Sequence, residues 1–218
     1  MITEYIFQID QHSSITPRTI LEIGALDGQY SRKLQTHYNL PESSVYLVEP
    51  NPVLNEKLTQ EFPAATVFNV AVSDTYSNRS NFNVVNSKIY GEVGCSSLMA
   101  RTPNKWNNYI STLHSEITVT TVTGESLLSS IKKPIDLCII DVEGHSYNVI
   151  RSFQASIKEI KSIMVECEHI EFFQHQKLYD DVQSILIKNQ FRLMTFRYSY
   201  KNQSDSIWIQ ESCINFEF

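Results

Sequence analysis

Hydrophobic positions in this chain alternate between short runs and helical stripes. Thr19 to Ile23 is a short apolar run broken at Gly24, the pattern of a buried strand. Tyr30, Leu34 and Tyr38 follow at helical spacing and give the first predicted helix an apolar face. Val45 to Val48 predicts a second strand ending at Glu49. Asn51-Pro52 then supplies an N-cap and a first-turn proline for a helix carrying Leu54 and Leu58. Thr66 to Val72 predicts a third strand. From Ser73 to about Glu116 the rhythm loosens into Asn, Ser, Gly and Tyr, which predicts irregular structure or a short hairpin, a lid over about 75–116. Ile117, Val119 and Thr121 alternate as a strand does, and Glu125 to Ile131 has the composition of a short helix. Leu137 to Ile140 is almost wholly apolar, as in a strand covered on both faces. A helix with Tyr147, Ile150 and Phe153 inward, a strand from Ile163 to Cys167, and an amphipathic helix on Leu178, Val182, Ile185 and Leu186 come next. Phe191 to Arg197 and Ser206 to Ile209 close the chain as two strands around a polar turn. Strands alternating with helices predict an α/β fold with a mostly parallel sheet, and the last pair adds an antiparallel C-terminal hairpin.

Composition narrows the picture. At 218 residues and 25.1 kDa the chain fills one core, so one domain over 1–218 is expected, without internal repeats. No apolar run approaches the roughly 18–20 residues of a membrane span. The opening Met1-Ile2-Thr3-Glu4-Tyr5 lacks the basic and apolar regions of a signal peptide. Four scattered cysteines without a CxxC pair fit a reducing cytoplasm. A formal charge of −6 argues against a nucleic-acid partner, because phosphate neutralisation needs a surplus of Lys and Arg. Self-association into a homo-oligomer stays open.

Ligands of open α/β sheets bind outside the carboxyl ends of the strands, and here those ends are acidic. In order they carry Glu22-Ile23-Gly24-Ala25-Leu26-Asp27-Gly28, Glu49-Pro50-Asn51, Asn69-Val70-Ala71-Val72-Ser73-Asp74, Asp141-Val142-Glu143-Gly144-His145, and Glu166. Gly24 and Gly28 frame the first turn, where glycine permits close approach of a ligand. A Glu at position 49, on the next strand tip, is placed to accept ribose hydroxyls. The glycine spacing is not Gly-x-Gly-x-x-Gly, and Asp27 stands where a pyrophosphate wants an uncharged helix N-terminus. A phosphate-free, cationic nucleoside, S-adenosylmethionine, suits these acids better than a dinucleotide. A nicotinamide-dependent oxidoreductase is the first alternative, and a methyltransferase-like module that only binds a partner is the second.

These segments, with Gly94-Cys95-Ser96-Ser97-Leu98, resemble the successive signatures of FkbM-type methyltransferases from about Ile20 to Ile209. The stretch Asp141-Val142-Glu143-Gly144-His145 is the most specific of them, whereas Lys105 to Ser115, with Trp106 and Tyr109, resembles nothing in the family. The resemblance implies a Rossmann-like class I methyltransferase fold on a mostly parallel seven-stranded sheet, and S-adenosylmethionine as donor. It also implies O-methylation of a small molecule, a sugar or secondary metabolite. Carried over by position, Glu22, Gly24, Ala25, Asp27 and Gly28 shape or line the donor loop, and Glu49 with Pro50 takes the ribose. Val70, Ala71 or Val72 flanks the adenine, with a backbone amide near Ser73 or Asp74 as a hydrogen-bond partner; apart from the resemblance, Asp141 is a candidate to meet the donor's cationic end.

For catalysis, Asp141 and Glu143 are two apart at a strand end, where side chains leave on the same face. Mutual repulsion can raise one of them into the range of a general base. His145 is a third candidate base, against the plainer reading of a solvent-facing first-turn histidine. Ser96, Ser97, Glu166 and His169 are candidate acceptor contacts, against two serines satisfied by their own backbone and a salt-bridged strand end. Trp106, Tyr109, Phe172 and Phe173 either stack on a sugar or pack under a long loop. A divalent metal on Asp141, Glu143, Glu166 and His169 is possible, but these positions follow no ligand-spacing rule.

Overall fold

The computed structural model describes residues 1–86, 94–104, 109–110, 112–200 and 202–215. Its elements run α1 (Ile2–His12), β1 (Ile20–Ile23), α2 (Gln29–His37), β2 (Val45–Val48), α3 (Pro52–Glu61), β3 (Thr66–Phe68), β4 (Ala71–Val72) and β5 (Ser77–Val85). They continue with β6 (His114–Val122), α4 (Gly124–Ile131), β7 (Leu137–Ile140), α5 (Ser146–Ser152), β8 (Ser162–Glu168), α6 (Tyr179–Lys188), β9 (Phe191–Tyr200) and β10 (Gln203–Gln210).

Seven strands form one sheet in the order β3-β2-β1-β7-β8-β10-β9. The first five run parallel, and β10 is antiparallel to both β8 and β9. β1, β2 and β7 are buried along their whole length, as strands covered on both faces must be. Alternation splits their side chains between two cores. Leu21, Ile23, Cys138 and Ile140 pack with Val149, Phe153 and Val182 on the side of α4, α5 and α6. Ile20, Leu47, Ile139 and Met164 pack with Tyr5, Leu34 and Leu58 on the side of α1, α2 and α3. The chain leaves β1 toward β2 and β3, then returns to place β7 on the other flank of β1. The crevice of the sheet therefore opens where Ile23 lies beside Ile140.

Two expectations are corrected. The run Thr66 to Val72 is not one strand. It ends as β3 at Phe68, and Asn69 turns the chain by donating to the carbonyls of Glu49 (3.0 Å) and Pro50 (3.1 Å). Ala71–Val72 then joins a separate three-stranded sheet, ordered β4-β6-β5. The stretch after Ser73 is also more regular than its composition suggests, because β5 and β6 are nine-residue antiparallel partners. Phe82, Val84 and Val119 pack on Ala71 while Asn and Ser face outward. Polar residues on the open face hid a period of two. Helix α1 was not foreseen, although Ile2, Tyr5 and Ile9 form its buried stripe.

Tyr5 is wholly buried and its hydroxyl lies 2.6 Å from Ser162 Oγ and 3.3 Å from the Cys138 carbonyl, fastening α1 beneath β7 and β8. Urea denaturation is expected to show a loss of about 1 kcal/mol for Tyr5→Phe and about 3–5 kcal/mol for Tyr5→Ala. Equal midpoints for Tyr5→Ala and the parent would mean that α1 is not part of the cooperative unit.

Candidate functional site

The tips of β1 and β7 meet almost backbone to backbone. Asp141 N donates to the Ile23 carbonyl at 3.0 Å, while Gly24 N and Ala25 N both donate to Val48 O at 3.0 Å. Gly24 has φ +84°, and a Cβ there would stand 1.8 Å from the Asp141 carbonyl oxygen. Only glycine fits. Gly28, at φ +70°, answers to packing instead, since a Cβ would meet the Phe62 ring at 2.6 Å.

Around this contact opens a cleft whose empty space, counted together with the solvent it opens onto, is about 560 Å³. Gly24 and Leu26 line it from β1, Glu49 and Pro50 from β2, and Asp141, Val142 and His145 from β7. Leu54 and the Val70-Ala71-Val72 segment make an apolar wall, and the second sheet and its loop add Phe82, Gly94, Ser96 and Leu98.

Glu49 is 5% exposed and already tied. Its Oε2 accepts from Leu26 N at 3.0 Å and its Oε1 from Asn51 N at 2.9 Å, so it locks the first loop to the β2 tip. Burial lifts its carboxyl to about 7, and the two amides oppose the rise. Glu22 does not line the cleft. Its Oε2 accepts from Ser31 N at 3.0 Å in the first turn of α2, and burial lifts its carboxyl to about 8. Asp27 likewise accepts from Gln29 N (3.2 Å) and Gln29 Nε2 (2.9 Å), and Ala25 points into the α1–α3 core. Ser73 sits behind the wall, its Oγ 3.0 Å from His145 Nε2.

The acids beyond Asp141 form a row that the sequence did not reveal. Val165 is paired with Ile140, which sets Glu166 beside Asp141, and Asp205 is paired directly with Glu166. Neighbouring strands lie about 4.8 Å apart, and like charges so placed oppose each other. Burial followed by Asp205 raises Asp141 to about 6, while burial followed by Asp141, Glu143 and Asp205 holds Glu166 well above its usual range. Burial also raises Asp205.

Glu143 departs from the expected geometry. The strand ends at Ile140, and Glu143 occupies a turn at φ +42°, so strand alternation does not aim it beside Asp141. Burial, then Glu168, then Asp141 push it to about 8 against the pull of Arg101. Arg101 stacks over Phe173, 4.6 Å from its centroid, and Phe173 underlies Gly144, where a Cβ would come within 2.3 Å of the ring. His145 is not solvent-facing. It walls the cleft, and desolvation lowers it to about 4, leaving a neutral imidazole at neutral pH.

The candidate acceptor contacts separate. Ser96 lines the cleft while its Oγ accepts from Val85 N at 3.0 Å. Ser97 does not line it. Its hydroxyl donates to the Glu143 carbonyl at 2.7 Å and accepts from Met99 N at 3.0 Å. His169 lies away from the cleft, bonded to Ser204 Oγ at 2.8 Å among Tyr179, Phe196 and Tyr198. It therefore does not converge with Asp141, Glu143 and Glu166. Among the described residues no three His, Cys, Asp or Glu side chains are grouped to hold a metal ion. Trp106 lies outside the described residues, and Tyr109 is exposed. Among the described residues no helix is long and apolar enough to cross a membrane.

A sheet of this order, with its cleft at the β1/β7 junction, defines a Rossmann-like class I methyltransferase fold. The fold is similar to that of FkbM methyltransferase from Methylobacillus flagellatus KT, at 10% identity and TM-score 0.57 over 89% of this chain and 44% of that one. It is also similar to magnesium protoporphyrin IX methyltransferase (ChlM) from Synechocystis PCC 6803 with bound SAM, at 11% identity and TM-score 0.52 over 96% and 76%. TrmK of M. capricolum, in complex with S-adenosyl-homocysteine, matches at 9% identity and TM-score 0.50 over 100% and 70%. The chain thus spans less than half the length of the first of these proteins. No curated protein sequence matches it. The Methyltransferase FkbM domain matches residues 22–198, and the chain belongs to that family.

Two outcomes follow from the geometry. Gly24→Ala places a methyl group inside the Asp141 carbonyl, and a drop in melting temperature together with lost ligand affinity is expected from calorimetry. Glu143 titrates near 8 in the fold against 4.5 ordinarily, so the fold binds a proton that the unfolded chain releases. Its favourable contribution is complete below about pH 4.5 and gone above about pH 8. Urea midpoints of Glu143→Gln relative to the parent are therefore expected to be higher at pH 8 than at pH 5.

Proposed function

We propose that this protein transfers the methyl group of S-adenosylmethionine to a hydroxyl oxygen on a small molecule, a sugar or a secondary metabolite. One observation carries the reading: the cleft joins two acids, Glu49 and Asp141, to an apolar wall, and neither Lys nor Arg is among its described lining residues. Such a site favours a cationic nucleoside over a phosphorylated one. The first loop supports the same choice. Its amides at Gly24, Ala25, Leu26, Gly28, Gln29 and Ser31 all donate to protein acceptors, so these six are not offered to a pyrophosphate. That counts against the nicotinamide alternative.

In this reading Glu49 accepts the ribose hydroxyls on lone pairs left by its two amide bonds, with Pro50 beside it. Val70, Ala71, Val72 and Leu54 cover the adenine, with Ser73 supporting them through His145. Gly24 gives the methionine portion room, Asp141 faces its cationic end, and Glu22, Asp27 and Gly28 hold the loop in shape. The bound donor supplies an electrophilic methyl on a sulfonium, so in-line displacement needs positioning and proton removal without a covalent enzyme intermediate. Ser96 and the second sheet wall the acceptor side, and Glu166, which is not among the cleft's lining residues, continues the acidic row beyond Asp141.

Among the candidate bases Asp141 is the best suited. Near 6 it is ionised at neutral pH, whereas Glu143 near 8 is largely protonated and His145 near 4 is a weak acceptor. The acceptor oxygen attacks the methyl carbon, the carbon–sulfur bond breaks, and the hydroxyl proton passes to the Asp141 carboxylate.

Titration calorimetry is expected to show heat with S-adenosylhomocysteine and none with NADH, and Glu49→Ala is expected to weaken the former about 30–100-fold. A folded parent protein silent toward S-adenosylhomocysteine ends the donor assignment. With hydroxylated sugars as acceptors, kcat/KM is expected to rise with pH through about 6 as Asp141 of the free protein ionises, and the rise should vanish in Asp141→Asn. An unchanged profile in that variant moves the base elsewhere.

A further inference from the structure

The segment from Gly94 to Thr102 is a strap that joins three parts of the molecule. Asn83 N donates to the Ser97 carbonyl at 2.8 Å and Ser97 N to the Asn83 carbonyl at 3.0 Å, which ties the strap to β5. The Ser97 hydroxyl on the Glu143 carbonyl ties it to the turn after β7. At its far end Arg101 forms an antiparallel bridge with Phe173. There Thr102 N donates to the Phe172 carbonyl at 2.9 Å, and Gln174 N to the Ala100 carbonyl at 2.8 Å. Between these ties, Gly94, Ser96 and Leu98 line the cleft.

The side chain of Arg101 fastens the far end. Its guanidinium donates to the Cys95 carbonyl across the strap and stacks on the Phe173 ring. It also faces two buried acids, Glu143 and Glu168. Glu168 Oε2 accepts from Gln176 Nε2 at 2.6 Å, and Gln176 Oε1 accepts from Phe172 N and Phe173 N, so this acid anchors the loop beneath Arg101. None of Arg101, Glu143 and Glu168 is among the cleft's described lining residues. The strained φ of Glu143 persists because its surroundings over-determine it, and the Ser97 bond is one of those determinants.

We infer that Arg101 is a positioning residue: stacked on Phe173 and facing the Glu143 and Glu168 carboxyls, it fixes the strap and so holds Gly94, Ser96 and Leu98 in the cleft wall. Glu143 is then a counter-charge for the strap instead of a base at the reacting centre. The fixing of the strap is independent of the donor reading, and its effect on ligand affinity rests on that reading. Its strength varies with pH. Glu143 near 8 and Glu168 near 7 are raised first by burial, Asp141 from β7 and Glu166 from β8 oppose their charge, and Arg101 favours it. Both acids are largely neutral at pH 6 and ionised at pH 9, so Arg101 holds the strap more strongly at the higher pH.

Hydrogen exchange of residues 94–102, followed by mass spectrometry, reads the strap directly, and comparing variant with parent at one pH cancels the intrinsic rate. Arg101→Gln is expected to speed exchange about tenfold at pH 9 and less than about threefold at pH 6. Arg101→Lys keeps the charge and is expected to recover part of the pH 9 loss. Titration calorimetry is expected to show S-adenosylhomocysteine bound about three- to tenfold more weakly by Arg101→Gln, with the larger loss at pH 9. Exchange raised equally at both pH values and not recovered by Arg101→Lys shows a packing contact on Phe173 and overturns the inference. Parent-like exchange in Arg101→Gln overturns it too, as does faster exchange with unchanged affinity, which leaves the donor reading standing. A parent silent toward S-adenosylhomocysteine ends the donor reading, and the exchange comparison then decides the role of Arg101 by itself.

Discussion

Everything at the site depends on how closely two parallel strands approach at their carboxyl ends. The amide of Asp141 reaches the carbonyl of Ile23, and the missing side chain at Gly24 leaves room for the Asp141 carbonyl. Because β1 and β7 are adjacent in the sheet yet far apart in the chain, this contact marks the point where the strand order reverses. A crevice must open there, since α2 and α5 leave in different directions from neighbouring strands. Glu49 then closes the geometry, tying the loop after β1 to the tip of β2 through one carboxylate.

The second constraint is electrostatic. Asp141, Glu166 and Asp205 lie side by side on three adjacent strands, with Glu143 and Glu168 close by. Their carboxyls are raised first by burial and then by one another, so each ionisation costs the fold more than it costs the free chain. Arg101 offsets part of this for Glu143 and Glu168, and Arg197 does so for Asp205. A cationic ligand at the Asp141 end would relieve the remainder. Local instability and ligand preference have the same origin here, as is common at functional sites.

Much of the sheet was legible because buried strands and amphipathic helices have different periods. Leu137–Ile140 and Val45–Val48 appear in the structure with the bounds their apolar runs suggest, and the Asn51-Pro52 start of α3 is capped as expected, with Asn51 Oδ1 accepting from Val53 N at 3.0 Å. Of the second sheet, the alternation of Ile117, Val119 and Thr121 was legible, but its partner β5 was hidden because Phe82 and Val84, which pack with Ala71 and Val119, are interleaved with polar residues. The break at Asn69 was hidden because its cause, two carbonyls at the β2 tip, lies in another element. In the cleft, glycines and acids stood out as residue types, whereas Leu26, Leu54, Phe82 and Leu98 carry no mark that separates a cleft wall from a core. Asp205 left a faint signal, an acid opening the last strand.

By itself the sequence determined the α/β alternation, the family, and the placing of acidic residues at strand ends, since each of these is written in local spacing. Tertiary structure alone decided which acids share a face, which amides Glu49 consumes, that His145 is neutral in the cleft wall, and that Ser97 serves Glu143 instead of the cleft. The physical reason is range. Periodicity and turn chemistry act over a few residues, but charge repulsion, desolvation and hydrogen-bond closure act between strands that only the folded sheet brings within a few ångströms of each other.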